Sequence, residues 1–211
     1  MGTSQQVKAA NHDRIVTAAS RLIRERGTVN VSVVVVMNAV SLTHGGFYAH
    51  FANRDELIEQ ATRRAFADGV ALFETLLTKH PVGGIEGFID VYLSQLHVAN
   101  RSHGCAVAAL TGDFARSELP LRAVVDTEFG RYVDRLIEIT AEGFTKSEAS
   151  AILCALAGAV AAMRSTGHTT ERSDGSVIAT GVRSLVMALV DAKRIDATRS
   201  RPRRGSAAIH V

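Results

Sequence analysis

The chain has 211 residues, room for one ordinary core plus a small satellite, and its 46% apolar and 21% charged residues lie far from the composition of disorder. No run of about 18 apolar residues is evident, and Met1 to Asn11 lacks the apolar centre of a leader, so the expected compartment is the cytoplasm, with no membrane partner. Cys105 and Cys154 are too few for a disulfide framework and lack the spacing of zinc or redox pairs, and although the net charge is only +3, Lys and Arg concentrate in residues 1–66 and 193–211.

Residues 1–11 read as a flexible basic arm; Lys8 within it and Arg14 just after it can reach a flanking phosphate backbone. Ile15, Ala18, Ala19, Leu22 and Ile23 then mark one helical face, ended by Gly27, which predicts a first helix over Asp13–Arg26. The run Val31–Met37 reads as a buried strand on propensity. Ser32 as N-cap, helical spacing of Val33, Val36, Met37 and Val40, and the lack of a partner strand predict a short helix instead. Thr43 is a second N-cap candidate, and Phe47 and Phe51 share the inner face of a very short third helix. Asn53-Arg-Asp-Glu56 has capping-box spacing and opens a long fourth helix to about Thr78, ended by Pro81 and Gly83-Gly84.

Ile85, Phe88, Ile89, Tyr92, Leu93 and Leu96 predict a fifth helix, and a sixth starts near Cys105. Pro120 precedes a seventh over Leu121–Phe144, Thr145-Lys-Ser-Glu148 caps an eighth to about Ser165, and a ninth covers Ser176 to about Lys193. Residues 194–211 form a basic tail whose Arg199–Arg204 run is either a nucleic-acid contact or a solvated end. The fold class is all-α, with about nine helices and no repeat period. A phosphate-cradling loop, a Gly-x-Ser-x-Gly elbow and a His-Glu-x-x-His helix are missing, and His97, His103 and Cys105 match no standard zinc spacing, so neither an enzyme nor a cofactor nor a metal is expected.

Three short N-terminal helices with a tight polar turn between the second and third form the arrangement that sets a recognition helix in the major groove. Over Asp13–Leu57 the chain resembles the TetR family in Gly27, Leu42-Thr-His-Gly-Gly-Phe-Tyr48, Tyr48-Ala-His-Phe51 and Arg54-Asp-Glu-Leu57. The resemblance implies a helix-turn-helix domain over 12–52, a helical regulatory and dimerisation domain over 53–193, and a repressor released from a palindromic double-stranded operator by a small-molecule or electrophile effector. Two departures stand out: Ser41 occupies the turn where the family usually carries Gly, and Val34 and Val35 face outward where polar residues are usual.

The implied DNA contacts are Ser32, Thr43, His44, Tyr48, His50 and Arg54, with Gly45 and Gly46 permitting close approach to the duplex or merely loosening the turn. Tyr48 reads equally as core and Arg54 as a solvated cap. The resemblance also implies a homodimer through the last two helices, with Ala155, Ala157, Gly158, Ala159, Ala161 and Ala162 against Leu185, Val186 and Leu189, although buried helices of one chain look the same. It implies an effector pocket among the fourth to seventh helices, with Phe88, Tyr92, Leu96, Cys105, Phe114, Phe129 and Tyr132 as candidate lining; plain core packing remains open for many of these. Cys105, at a predicted helix start, reads either as a sensor thiol or as a small buried hydrophobe. The rival function is a helical interaction protein that has lost operator binding, motivated by Ser41 and the valine run.

Overall fold

The computed structural model describes residues 2–166 and 175–199. Among them the chain forms α1 (Gly2–Arg26), α2 (Val33–Ala39), a 3₁₀ segment (His44–Ala49), α3 (Arg54–Leu77), α4 (Gly84–Tyr92), α5 (Gln95–Ala99), a 3₁₀ turn (Arg101–His103), α6 (Ala106–Phe114), α7 (Leu119–Thr140), α8 (Lys146–Ser165) and α9 (Gly175–Arg199). No strand occurs among the described residues.

The first helix starts at Gly2 rather than Asp13, so residues 2–11 are helical and not a loose arm. Gln5, Gln6, Lys8, Ala9 and Ala10 are good helix formers and no breaker follows Gly2, while the side chains from Ser4 to Ala10 are exposed, so no apolar stripe advertised this extension. At the other end Gly27 has φ +82° and donates its N–H to the Ile23 carbonyl at 2.8 Å, a left-handed stop that suits glycine.

In α2, helix prevails over strand propensity for local and tertiary reasons. Ser32 Oγ accepts the Val35 N–H at 3.3 Å, and Val36 and Met37 bury completely with Ile15, Ala19, Phe47 and Phe51. Four valines and an asparagine at roughly 0.5 kcal/mol of unfavourable propensity each are outweighed by that burial. The third helix is a 3₁₀ segment, and Thr43 makes no side-chain cap bond. At α3 the cap is shifted: Asn53 Oδ1 accepts the Glu56 N–H, but Glu56 reaches back to the Ala52 N–H instead of Asn53.

The predicted fifth helix is broken at Leu93–Ser94, where Ser94 Oγ accepts the His97 N–H and caps α5. Leu96 consequently faces solvent, 61% exposed. Thr145 and Glu148 form the full reciprocal box at α8. That helix has the length and apolarity of a membrane span by composition, but it packs on α5, α6, α7 and α9 through the face that carries Ile152, Leu153, Leu156 and Val160. Helix α9 continues past Lys193 to Arg199, and the rest of the basic tail lies outside the described residues. One buried core runs from Ile15 to Val190; within it α1, α2, the 3₁₀ segment and the start of α3 are called the head and the rest of α3 to α9 the body.

Candidate nucleic-acid interface and effector cavity

Phe47 and Phe51 stack in the head core at 5.3 Å between centroids, which turns the opposite side of the 3₁₀ segment outward. Ser32, Thr43, His44, Gly45 and Tyr48 are exposed there, Tyr48 at 65%, with the His44 and Tyr48 rings edge to face at 6.0 Å. Gly45 has open space where a Cβ would stand, whereas Gly46 is half-buried against Thr43 and Met37. Val34, at 49% exposure, presents an apolar branch beside this polar set. Tyr48 is therefore surface, not core.

Three residues with charge in the sequence reading have other occupations. Arg54 Nε donates to the Val31 carbonyl at 3.0 Å and its Nη2 to the Thr28 carbonyl, so the guanidinium fastens the first turn of α3 to the loop before α2. Its remaining nitrogen, Nη1, lies 3.9 Å from Asp55, and the side chain is 38% exposed, so the anchoring leaves one edge of the guanidinium at the surface. Arg14 Nη2 donates to the Val40 carbonyl at 2.8 Å and closes the end of α2. The pKa of His50 is lowered by burial and by the nearby His12 and Lys8, which favours the neutral ring.

Of the effector candidates, Phe88, Tyr92, Cys105 and Tyr132 are fully buried in the body, and Leu96 lies outside it. Phe73 stacks on Tyr92 at 5.0 Å and His97 abuts both, with its Nδ1 bound to the Tyr92 carbonyl at 2.6 Å and its Nε2 accepting the Cys105 N–H at 3.0 Å. Phe114 and Phe129 do meet a cavity of about 400 Å³, lined also by Phe66, Val107, Val125 and Cys154 and by the charged Arg122 and Asp126. Cys105 is shielded from solvent and Cys154 is the exposed thiol. In the helix pair at the C-terminal end, Gly158, Leu185 and Leu189 face outward, while Ala157, Ala159 and Val186 turn into the chain's own core.

A link between head and body escaped the sequence reading. Asp113, near the end of α6, accepts the Thr28 N–H at 2.7 Å, and a Cβ on Gly27 would stand 2.6 Å from the same carboxylate. Arg54 holds the other side of that loop through the carbonyls of Thr28 and Val31. The loop is thus gripped by the cavity-lining helix and by the helix that carries the head. Only Gly27 and Arg54 were noticeable beforehand, because a contact spanning 85 positions leaves no periodic trace.

Residues 15–61 match the profile of bacterial regulatory proteins, tetR family. A TetR-family transcriptional regulator from Cytophaga hutchinsonii superposes with a TM-score of 0.68 at 16% identity, over 86% of this chain and 95% of that one. Reduced NemR from E. coli gives 0.62 at 15% identity over 83% and 94%, and FadR from Bacillus subtilis, in complex with stearoyl-CoA, gives 0.59 at 15% over 82% and 96%. At such identities the superpositions establish the fold. No curated protein matches the sequence.

Proposed function

We propose that the chain is a DNA-binding transcriptional regulator of the TetR type, supported by the match of residues 15–61 and by the shared fold, and that it works as a dimeric repressor which a small molecule releases from a palindromic operator. The observation that carries the DNA side is the outward set Ser32, Thr43, His44 and Tyr48 on a head whose inner face is fully packed. Ser32 and Tyr48 offer hydroxyls to phosphate, and Thr43 and His44 lie at the start of the recognition segment to meet base edges.

Dimerisation is supported by outward faces that water covers poorly. Helix α8 exposes Cys154 and Gly158, and α9 exposes Val177, Leu185, Leu189 and Ile195. A second copy docked on both helices buries this surface and sets two heads at a fixed spacing. The effector side is supported by the cavity against Phe114 and Phe129, one residue from Asp113 and its bond to Thr28. A ligand that moves α6 pulls on the loop that Arg54 ties to the head, and differential affinity for the two positions supplies the coupling. Burial of Cys105 favours a non-covalent effector over an electrophile.

Selection of bound duplexes from a random pool, followed by a salt series, tests the reading. A palindrome is expected, with log affinity falling by about 0.9 per phosphate contact for each log unit of salt. Thr43→Ala with Tyr48→Phe should weaken binding about tenfold with the melting temperature unchanged. A folded dimer that enriches no sequence at low salt points instead to the interaction protein that has lost operator binding.

A further inference from the structure

The outward side of the head is built without fixed charge. Residues 27–53, which span the turn after α1, α2, the 3₁₀ segment and the loop into α3, contain no Asp, Glu, Lys or Arg. Of the flanking arginines, Arg14 and Arg54 are anchored on the carbonyls of Val40, Val31 and Thr28, and Arg26 stands beside Glu25 at 4.0 Å. What this side offers instead is Ser32, Thr43, His44 and Tyr48, together with an exposed valine, Val34.

Packing does not account for Val34. Helix α2 buries Val36 and Met37 and turns Val34 and Asn38, one helical turn apart, outward. Alanine is the better helix former at such a position, and 49% exposure leaves the valine methyl groups in contact with water. The residue lies in the first turn of α2, just beyond the exposed N-cap Ser32, and α2 packs directly on the 3₁₀ segment that begins with His44. In that segment Gly45 has open space where a Cβ would stand, so no side chain at that point holds a duplex away from the backbone.

The base edges of the major groove give such a residue one apolar group to meet. Phosphate oxygens and the hydrogen-bonding edges of the bases are polar, and a valine set against them displaces water without replacing its hydrogen bonds. The 5-methyl group of thymine is the apolar feature among them. Guanine, by contrast, is most often read by a bidentate arginine or by lysine, and residues 27–53 contain neither. We propose that Val34 is a specificity-determining residue that selects a thymine in each half-site of the operator by contact with its 5-methyl group. The inference rests on the operator reading above and adds to it one base and the group by which that base is read.

The test is fluorescence anisotropy with the duplex enriched by selection, in which deoxyuridine replaces thymine at one position of a half-site at a time. The replacement removes the methyl group and leaves the hydrogen-bonding edge as it was. For the native protein one such replacement should weaken binding about fourfold, the effect of one buried methyl-sized group. For Val34→Ala the same replacement should change nothing, because the contact is already lost, while the variant melts at the native temperature or slightly above it. An enriched site without thymine, or native binding indifferent to every deoxyuridine, overturns the proposal and spares the operator reading. A methyl effect that persists in Val34→Ala also overturns it and assigns the contact to a neighbour such as Thr43 or Tyr48. So does a variant that weakens all duplexes alike, which sets Val34 against the sugar-phosphate backbone, and so does one that melts several degrees lower, the mark of a packing residue. Failure to enrich any sequence at low salt removes the operator reading itself, and this inference falls with it.

Discussion

In the head, Arg14 and Arg54 reach main-chain carbonyls of Val40, Thr28 and Val31, and the buried polar atoms left without partners are the Thr17 and Thr62 hydroxyls and one nitrogen of a neutral His50. In the body, two phenols and a guanidinium are left without partners, two cavities flank α6, and α9 exposes Leu185 and Leu189 beside the charged Arg183 and Arg194. Each region leaves three buried polar atoms without partners; in the head two are threonine hydroxyls and one a ring nitrogen, whereas in the body all three are phenol or guanidinium groups. The body also exposes Val177, Leu185, Leu189 and Ile195 on α9 and carries the grooves beside α6, so the proposed partner and ligand sites fall there rather than in the head.

The largest test of that contrast strikes the seam. The Arg24 side chain is fully buried, pairs with Asp68 at 3.0 Å, and donates to the carbonyls of Ser20, Ala65 and Gly104, joining α1 to α3 and to the approach to α6. Arg24→Ala leaves three carbonyls and a carboxylate without that donor and should cost about 3–5 kcal/mol in urea unfolding. A loss under about 1 kcal/mol would show that the two regions are held together elsewhere.

A smaller effect separates the regions by pH. Burial is the main cause that lowers the His97 pKa to about 4, and the neutral ring bridges the Tyr92 carbonyl and the Cys105 N–H. Because the folded pKa lies below the ordinary value of 6.5, the unfolded chain binds the extra proton first. Stability is therefore full above about pH 6.5 and falls as pH drops toward 4, by up to about 3 kcal/mol. Urea midpoints across that window should show this loss and show it abolished in His97→Gln; an unchanged slope in the variant would assign the loss to another group.

The elements were largely legible because amphipathic spacing and caps are local: Ser32, Asn53 and Thr145 each begin a helix as their residue types suggest. Misreadings arose where a local signal was weak or was overruled. The start of α1 has no apolar stripe, and Ser94 interrupts a stripe that looked continuous through Leu96. For the site, the exposed recognition residues followed from pattern and resemblance, but the occupation of Arg54 by carbonyls did not, because long cations look free in a sequence. Asp113, Arg24 and Arg164 act across 44 to 85 positions, and only the packed chain brings such partners together.

The smallest expected effect tests whether the head is as well finished as its hydrogen bonds suggest. Ser41 sits at φ +56°, in the turn between α2 and the 3₁₀ segment, with its N–H bound to the Asn38 carbonyl at 3.1 Å. Left-handed backbone costs a serine roughly 1 kcal/mol, so the position retains strain that the surrounding packing overcomes. Ser41→Gly relieves that strain but gives the unfolded chain more freedom, and a net gain of about 0.5–1 kcal/mol should remain. Its side chain is exposed, so the urea midpoint should rise with operator affinity unchanged. A gain in affinity as well would mean that the turn is distorted in the free protein and that the serine restrains recognition. No gain in stability would mean that the hydroxyl compensates the turn, and the strain would then have no consequence for the head.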